Sequence, residues 1–354
     1  MPCQNYFSVP KIQAFSEFNN IFIKIFYMKN ILGIGNALVD VMTLIDDDNI
    51  LEKFSLPKGS MTLVDAQKSE MIKNATSGFE RIFASGGSAA NTIHGLAMLN
   101  ANAGFIGAIG RDETGNVFDS DMKNAGVNTI LFRRKSVTGT AVALISPDSQ
   151  RTFATHLGAA VELEADDLKG EHFKPYNILY FEGYLIINKP LVIKACELAR
   201  ENNMEISIDL ASYNVVDARK EDFLEIIDKY ADIVFANEDE ARSLTGLRTE
   251  EAMKRIADMC KIAVIKTGRE GSLIKRNEEI IKVGYLPVLS KDTTGAGDLY
   301  ASGFLYGYAN GLELDKCGCL GALLAGNVIE MVGARITDEK WPAIRKRVSQ
   351  IIKE

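Results

Sequence analysis

From Met28 onward the chain alternates short apolar runs with segments of helical period. That alternation constrains its fold more than any other feature. The strand-like runs are Ile31–Ile34, Ala103–Ile106, Ile178–Phe181, Ile206–Ile208, Ile233–Phe235 and Ala263–Ile265. Helical patterns cover Ser88–Leu99, Pro190–Glu201, Phe223–Tyr230, Asn237–Thr245, Gly295–Ala309, Lys316–Met331 and Asp338–Ile351. A strand that is apolar on both faces must be covered on both faces. Strands joined by crossover helices therefore predict a mostly parallel sheet with helices on each side. One region breaks the series: Gly139–Ser146, the turn Pro147–Gln150 and Arg151–His156 read as a hairpin. Asp40–Ile45 and Met61–Val64 read as further short strands, so a small second sheet is expected. Open α/β folds bind ligands at the C-terminal ends of their strands; a small sheet placed there acts as a lid.

The 354 residues, 47% of them hydrophobic, suffice for a sizeable core in one large or two modest domains. A formal net charge of −7 argues against nucleic acid as a partner, because phosphate backbones demand a basic face. No apolar run is long enough to span a bilayer, so no membrane partner is expected. Five scattered cysteines, an odd number, suit a reducing cytoplasm better than a disulfide framework. The Cys317 and Cys319 pair has no His or Cys cluster near it and reads as helix packing. Residues 1–27 are rich in Asn, Phe and Ile without a clear period, and lack a signal-peptide core and cleavage site. They are expected to be a non-core N-terminal extension, with Met28 as the natural start and residues 28–354 as the folded domain.

The segment Lys291–Leu305, KDTTGAGDLYASGFL, sets Gly295, Ala296 and Gly297 ahead of Asp298 and then runs into a helical pattern. Small residues let a ligand approach the backbone, and N–H groups at a helix N-terminus favour an anion. A carboxylate there repels a bound phosphate unless it takes a proton from the hydroxyl that attacks it. One reading is therefore phosphoryl transfer to an alcohol, with amides holding charge and Asp298 as base. The other is a glycine-rich helix start with Asp stabilising the dipole. A second segment, Ser85–Asn91 (SGGSAAN), allows close backbone approach at Gly86 and Gly87. Ser88 can cap the following helix, and Asn91 offers both a donor and an acceptor, chemistry that suits a polyol. Asp40, after the first strand, can accept two hydrogen bonds from a vicinal diol.

Gly33 and Gly35 invite a dinucleotide reading, but Leu38 stands where the third glycine is required, which weakens an NAD-dependent oxidoreductase. The phosphate-loop pattern GxxxxGK[ST] is absent. Asn237 and Glu240, three apart, form a capping pattern at a helix start and also suit a Mg²⁺ ion held through waters. Lys266, Thr267, Gly268 and Gly271 follow another strand, either as a hairpin turn or as a hold on nucleotide phosphates or ribose. His94, His156 and His172 have no metal-site spacing, and no catalytic histidine is assigned.

GGSAAN, NEDE and DTTGAGDLYASGF together resemble the signature motifs of the PfkB carbohydrate kinase family, from about Met28 to near the C-terminus. GNALVD, LPKGSMTLVD, TGTAVALI and RTFATHLGAA look more like adenosine kinases and their bacterial relatives than like ribokinase. The resemblance implies a ribokinase-like three-layer α/β fold with a mostly parallel central sheet and a small β-sheet lid, formed by segments about 40–64 and 132–157. It implies an enzyme that uses ATP and Mg²⁺ to phosphorylate a primary hydroxyl of a sugar or nucleoside; the cysteine usage adds the expectation that it is cytoplasmic, and the sequence leaves monomer or homodimer open. K⁺ near the anion hole belongs to the same pattern, with carbonyls from Asp292 and Thr294. On this resemblance Asp298 is the base and Gly295, Ala296 and Gly297 form the anion hole. Asn36, Asp40, Gly87, Ser88 and Asn91 bind substrate, and Asn237 and Glu240 organise Mg²⁺. Lys266, Thr267, Gly268 and Gly271 lie by the nucleotide, and Arg151 reaches the phosphates from the lid. Phe153 is a candidate to stack on a purine. Met61 and Asp209 depart from the adenosine kinase pattern, which leaves adenosine, another nucleoside, or a sugar such as ribose or fructose as acceptor. A non-catalytic sensor on the same fold is the rival from another class.

Overall fold

The computed structural model describes residues 28–148 and 150–353. The expected N-terminal extension, and Ser149 in the turn Pro147–Gln150, lie outside the described residues. The strands are β1 (Ile31–Ile34), β2 (Leu38–Leu44), β3 (Met61–Leu63), β4 (Arg81–Gly86), β5 (Ala103–Gly110), β6 (Asn128–Arg134) and β7 (Thr138–Ile145). They continue as β8 (Arg151–Gly158), β9 (Ile178–Glu182), β10 (Glu205–Asp209), β11 (Ile233–Asn237), β12 (Ile262–Lys266), β13 (Ser272–Arg276) and β14 (Glu279–Val283). Each of the six apolar runs falls within a strand of one nine-stranded sheet, ordered β14-β13-β12-β11-β10-β9-β1-β5-β6. All its pairings are parallel except β12–β13 and β13–β14.

The period of two along each strand feeds two cores. Ile31, Phe105, Tyr180 and Phe235 face one helical layer, while Leu32, Ile106, Leu179 and Val234 face the other. β1 is central: the chain leaves it through β5 and β6 on one side and returns through β9 to β12 on the other. That reversal beside β1 and β9 opens a crevice at their C-terminal ends.

The five-stranded second sheet has the order β3-β8-β7-β2-β4. Its makeup differs from the expected segments at two points. Phe132–Arg134 belong to β6 and pair in parallel with Ala108–Gly110 of the main sheet. The added strand, β4, pairs antiparallel with β2 and leaves Ile82 and Phe83 exposed, so its apolar residues do not alternate in the way that marks a strand. Helix limits also shift. The helix expected over Lys316–Met331 spans Leu314–Val328 and ends where the Ile329 carbonyl accepts from Lys291 N. The pattern Asp338–Ile351 divides into a 3₁₀ turn and the helix Trp341–Lys353, in which Pro342 fills a first-turn position that needs no N–H donor.

Two helices, α1 (Ser88–Met98) and α2 (Ala296–Ala309), cross at Gly95, where an added Cβ would lie 2.6 Å from Ser302 Oγ. Thr92 Oγ1, on α1, donates to the Asp298 carbonyl at 3.1 Å. The two glycine-rich segments, about 200 residues apart in sequence, thereby start their helices side by side.

Candidate active site

The crevice at the strand ends, covered by the small sheet, encloses a cavity of about 700 Å³. Thirteen of the sixteen residues assigned from the sequence to catalysis, substrate, nucleotide or Mg²⁺ line it: Asn36, Asp40, Gly87, Ser88, Asn91, Asn237, Glu240, Lys266, Gly268, Gly295, Ala296, Gly297 and Asp298. Arg151, Thr267 and Gly271 do not. Arg151 is instead ion-paired to Asp292 at 2.6 Å, with both side chains nearly buried. Asp292 also accepts from Thr294 N, Thr294 Oγ1 and Gly333 N, so this carboxylate draws Arg151 to the loop before α2. Thr267 and Gly271 close the turn between β12 and β13 through Thr267 N donating to Gly271 O. A Cβ on Gly271 would lie 1.9 Å from Val283 O, so this glycine answers a packing need.

Gly295 takes a left-handed conformation (φ 76°) as the N-cap of α2, and no side chain caps that end. Ala296 N donates back to Thr293 O, so it belongs to the turn. Asp298, in the first helical turn, is half-buried at the cavity floor. Ser88 Oγ donates to its Oδ1 at 2.7 Å and Asn91 Nδ2 to its Oδ2 at 2.9 Å. Ser88 thus departs from the expected capping role: the N-cap of α1 is Gly87, without a side-chain cap, and the Ser88 hydroxyl is spent on Asp298. Burial pushes the Asp298 carboxyl up to about 6, against the lowering effect of Asn91 and Ser88. Asp40, on β2, is likewise pushed up to about 6 by burial, with Arg335 opposing the shift. A Cβ on Gly86 would fall 2.3 Å from Asp40 Oδ1, so that glycine leaves room for the carboxylate.

Asn237 and Glu240 form a reciprocal capping box at the helix Glu238–Thr245. Glu240 N donates to Asn237 Oδ1, while Asn237 N and Nδ2 donate to the two Glu240 oxygens. Among the described residues no group of three His, Cys, Asp or Glu side chains is disposed to hold a bare metal ion. Of the pair read as helix packing, Cys317 is buried against Gly307 while Cys319 is exposed.

The sequence reading missed Glu182, gave Asp209 no role beyond marking a departure, and missed Arg335. Glu182, at the end of β9, is 1% exposed and lines the cavity. Its carboxylate accepts from Asn36 N, Asn36 Nδ2 and Ala89 N, tying the loop after β1 to the start of α1. Burial pushes its carboxyl up to about 7. Asp209 ends β10 and pairs with Lys266 at 2.7 Å. The readable signal was an acidic residue closing a buried run, in LYFE and ISID. Arg335 donates to the Ser85 carbonyl from Nη2 at 2.6 Å, which steadies the second glycine-rich segment from below.

A crevice with an uncapped helix N-terminus beside a carboxylate is the equipment of a phosphotransferase acting on a hydroxyl group. The comparisons give that class its family. A family model described as pfkB family carbohydrate kinase matches residues 61–341. The chain belongs to this family and is a sugar or nucleoside kinase with a ribokinase-like fold. It is 34% identical to a probable sugar kinase from Rhizobium etli CFN 42, with a TM-score of 0.83, covering 92% of this chain and 98% of that one. It is 34% identical to the adenosine kinase from Sinorhizobium meliloti, with a TM-score of 0.82, covering 90% of this chain and 99% of that one. Among curated proteins it is 28% identical, over 76% of this chain and 84% of the relative, to a 5-dehydro-2-deoxygluconokinase from Clostridium botulinum (strain Alaska E43 / Type E3).

Proposed function

We infer that the protein transfers the γ-phosphoryl group of ATP to a primary hydroxyl of a nucleoside, adenosine in particular. The observation that carries the acceptor class is an apolar part of the cavity lining, in which Met61, Leu63, Phe153 and Leu157 share the sheet face that carries Asp40 and are joined by Val161 and Ile187. Met61, Leu63, Val161 and Ile187 are at least half exposed in the open cavity. A flat base covers such a wall, whereas a free sugar leaves it wet. Similarity to the Sinorhizobium meliloti adenosine kinase supports the same reading.

Asp40 accepts the sugar diol, and Asn36 and Gly87 shape the pocket around it. Asp298, held by Ser88 and Asn91, takes the hydroxyl proton as the phosphoryl group moves. The α2 N-terminus holds the phosphoryl charge. Residues 28–354 act as one kinase domain whose small sheet excludes water over the reacting groups. The donor set fits a hydrated Mg²⁺: Asn237 and Glu240 line the cavity, but both Glu240 oxygens already accept from Asn237, so an ion meets them through its water shell. When bound, that ion neutralises phosphate charge.

The direct test is ADP release with Mg²⁺-ATP against adenosine, other nucleosides, ribose and fructose, with and without K⁺. Selective turnover of adenosine supports the reading. Preference for ribose or fructose moves the assignment to a sugar kinase with the same reacting groups. Tight nucleoside binding without turnover supports a sensor.

The pH dependence has two opposite arms. Asp298 must be ionised to act, so turnover is expected to fall about tenfold per unit as pH drops below about 6. The ligand-free fold responds the other way. The carboxyls of Glu182 and Glu240 are raised to about 7, chiefly by burial, so their contribution to stability is complete near pH 4 and is lost as pH rises through 7. The melting temperature of the ligand-free protein is therefore expected to decline as pH rises from about 4.5 to about 7 and to level off above that. A midpoint that rises across this window contradicts the assignment.

A further inference from the structure

Lys266 is the only Lys or Arg among the described residues that line the cavity, a lining that also holds five carboxylates: Asp40, Glu182, Asp209, Glu240 and Asp298. Arg151, the cation expected to reach the phosphates, is held by Asp292 outside the lining. We propose that Lys266 contacts the phosphoryl group in transfer, and that Asp209 is the positioning residue that aims its ammonium.

The geometry supports this in three ways. First, a Cβ added to Gly297 would lie 3.1 Å from Lys266 Nζ, so the ammonium sits against the first turn of α2. A cation at the positive end of a helix dipole is disfavoured unless an anion joins it. The nearby Asp209 answers one of its three N–H donors and leaves the others for an arriving anion. Second, Asp209 is fixed on both oxygens: Oδ1 accepts from Ala211 N at 3.0 Å and Oδ2 from Lys266 at 2.7 Å. Ala211 itself lines the cavity and takes a left-handed conformation (φ 65°), a strain that the Asp209 bond helps to hold. Third, Lys266 keeps its charge, because Asp209 and Glu240 outweigh its burial.

The proposal rests on the kinase reading above. In the step it serves, a lone pair of the acceptor oxygen forms a bond to the γ-phosphorus. The bond from that phosphorus to the β,γ-bridging oxygen breaks, its electrons leave with ADP, and the hydroxyl proton passes to Asp298. Lys266 stabilises the phosphoryl oxygens throughout, in the manner of a fixed oxyanion donor.

The test compares wild type with Lys266→Met and with Lys266→Met/Asp209→Asn, the second variant removing both charges so that no carboxylate is left unpaired. Both are expected to lose about 10²–10³-fold in kcat, with acceptor KM within about twofold of wild type. Affinity for β,γ-methylene-ATP relative to ADP, read by calorimetric titration with Mg²⁺ and no acceptor, is expected to fall about tenfold in both. Recovery of turnover in the double variant to within a few-fold of wild type shows a merely structural ion pair and overturns the proposal. So does an unchanged affinity ratio. The ratio needs no acceptor, so a wild-type protein silent with every acceptor sinks the kinase reading while the contact to the terminal phosphate is still decided.

Discussion

Asp298→Asn is expected to yield a folded protein whose turnover is about 10²–10⁴-fold below wild type, the usual contribution of a positioned general base. The substitution keeps the volume of the side chain and removes its capacity to take a proton. Its hydrogen bonds can be largely rebuilt. Ser88 Oγ still has an oxygen to donate to. Asn91 can turn its amide so that Oδ1, buried and without a partner, accepts from the new NH₂ group. The loss therefore belongs to chemistry and not to folding. Burial also penalises the Asp298 carboxylate, so at pH 8 the variant is expected to melt no lower than wild type. Parallel measurement of ADP release and the melting midpoint checks both statements. Turnover within tenfold of wild type, in a protein that melts normally, removes Asp298 from the role of base.

Gly87→Ala is expected to cost roughly 3–5 kcal/mol of stability, the sum of backbone strain and overpacking. Gly87 has φ 99°, a conformation that side-chain-bearing residues rarely adopt, and its added Cβ would lie 2.1 Å from the Asn36 carbonyl oxygen. The Cβ position is set by the backbone and the Asn36 oxygen is itself backbone, so no rotamer change relieves the contact. Gly126→Ala separates the two causes. Gly126 has φ 93° but open space around its Cβ position, so only strain acts there and about 1–2 kcal/mol is expected. Urea unfolding with an unchanged m-value reads both costs from the midpoint. Gly87 also sets the start of α1, where Ser88 and Asn91 reach Asp298, so activity is expected to fall with stability. A cost below about 1 kcal/mol for Gly87→Ala contradicts the geometry drawn here.

How much of this was legible beforehand depends on the range of the interaction. The β1, β5 and β9 to β12 runs were readable because a strand buried on both faces is apolar along most of its length, a property of a few adjacent residues. The glycine-rich segments and Asp298 were readable because tight turns and helix starts restrict residue type locally. β4 was not, since an edge strand with exposed Ile82 and Phe83 carries no clean alternation. The helix Glu113–Asn124 was passed over although Asp112 caps it, because its apolar residues are sparse.

The partnerships within the cavity were beyond reach of any local pattern. Ser88 and Asp298 are 210 positions apart, and Asp209 and Lys266 are 57 apart. Arg151 read as a phosphate ligand for as long as nothing said that Asp292 would hold it. Glu182 read as the end of a strand until folding set Asn36 and Ala89 around it. The sequence by itself determined the alternating elements, the two glycine-rich turns and the kind of chemistry they permit, because short-range sterics and burial act on neighbours in the chain. Only the tertiary structure decided which charges meet, because desolvation and Coulomb attraction act on whatever the packing of the sheets and helices brings within a few ångströms.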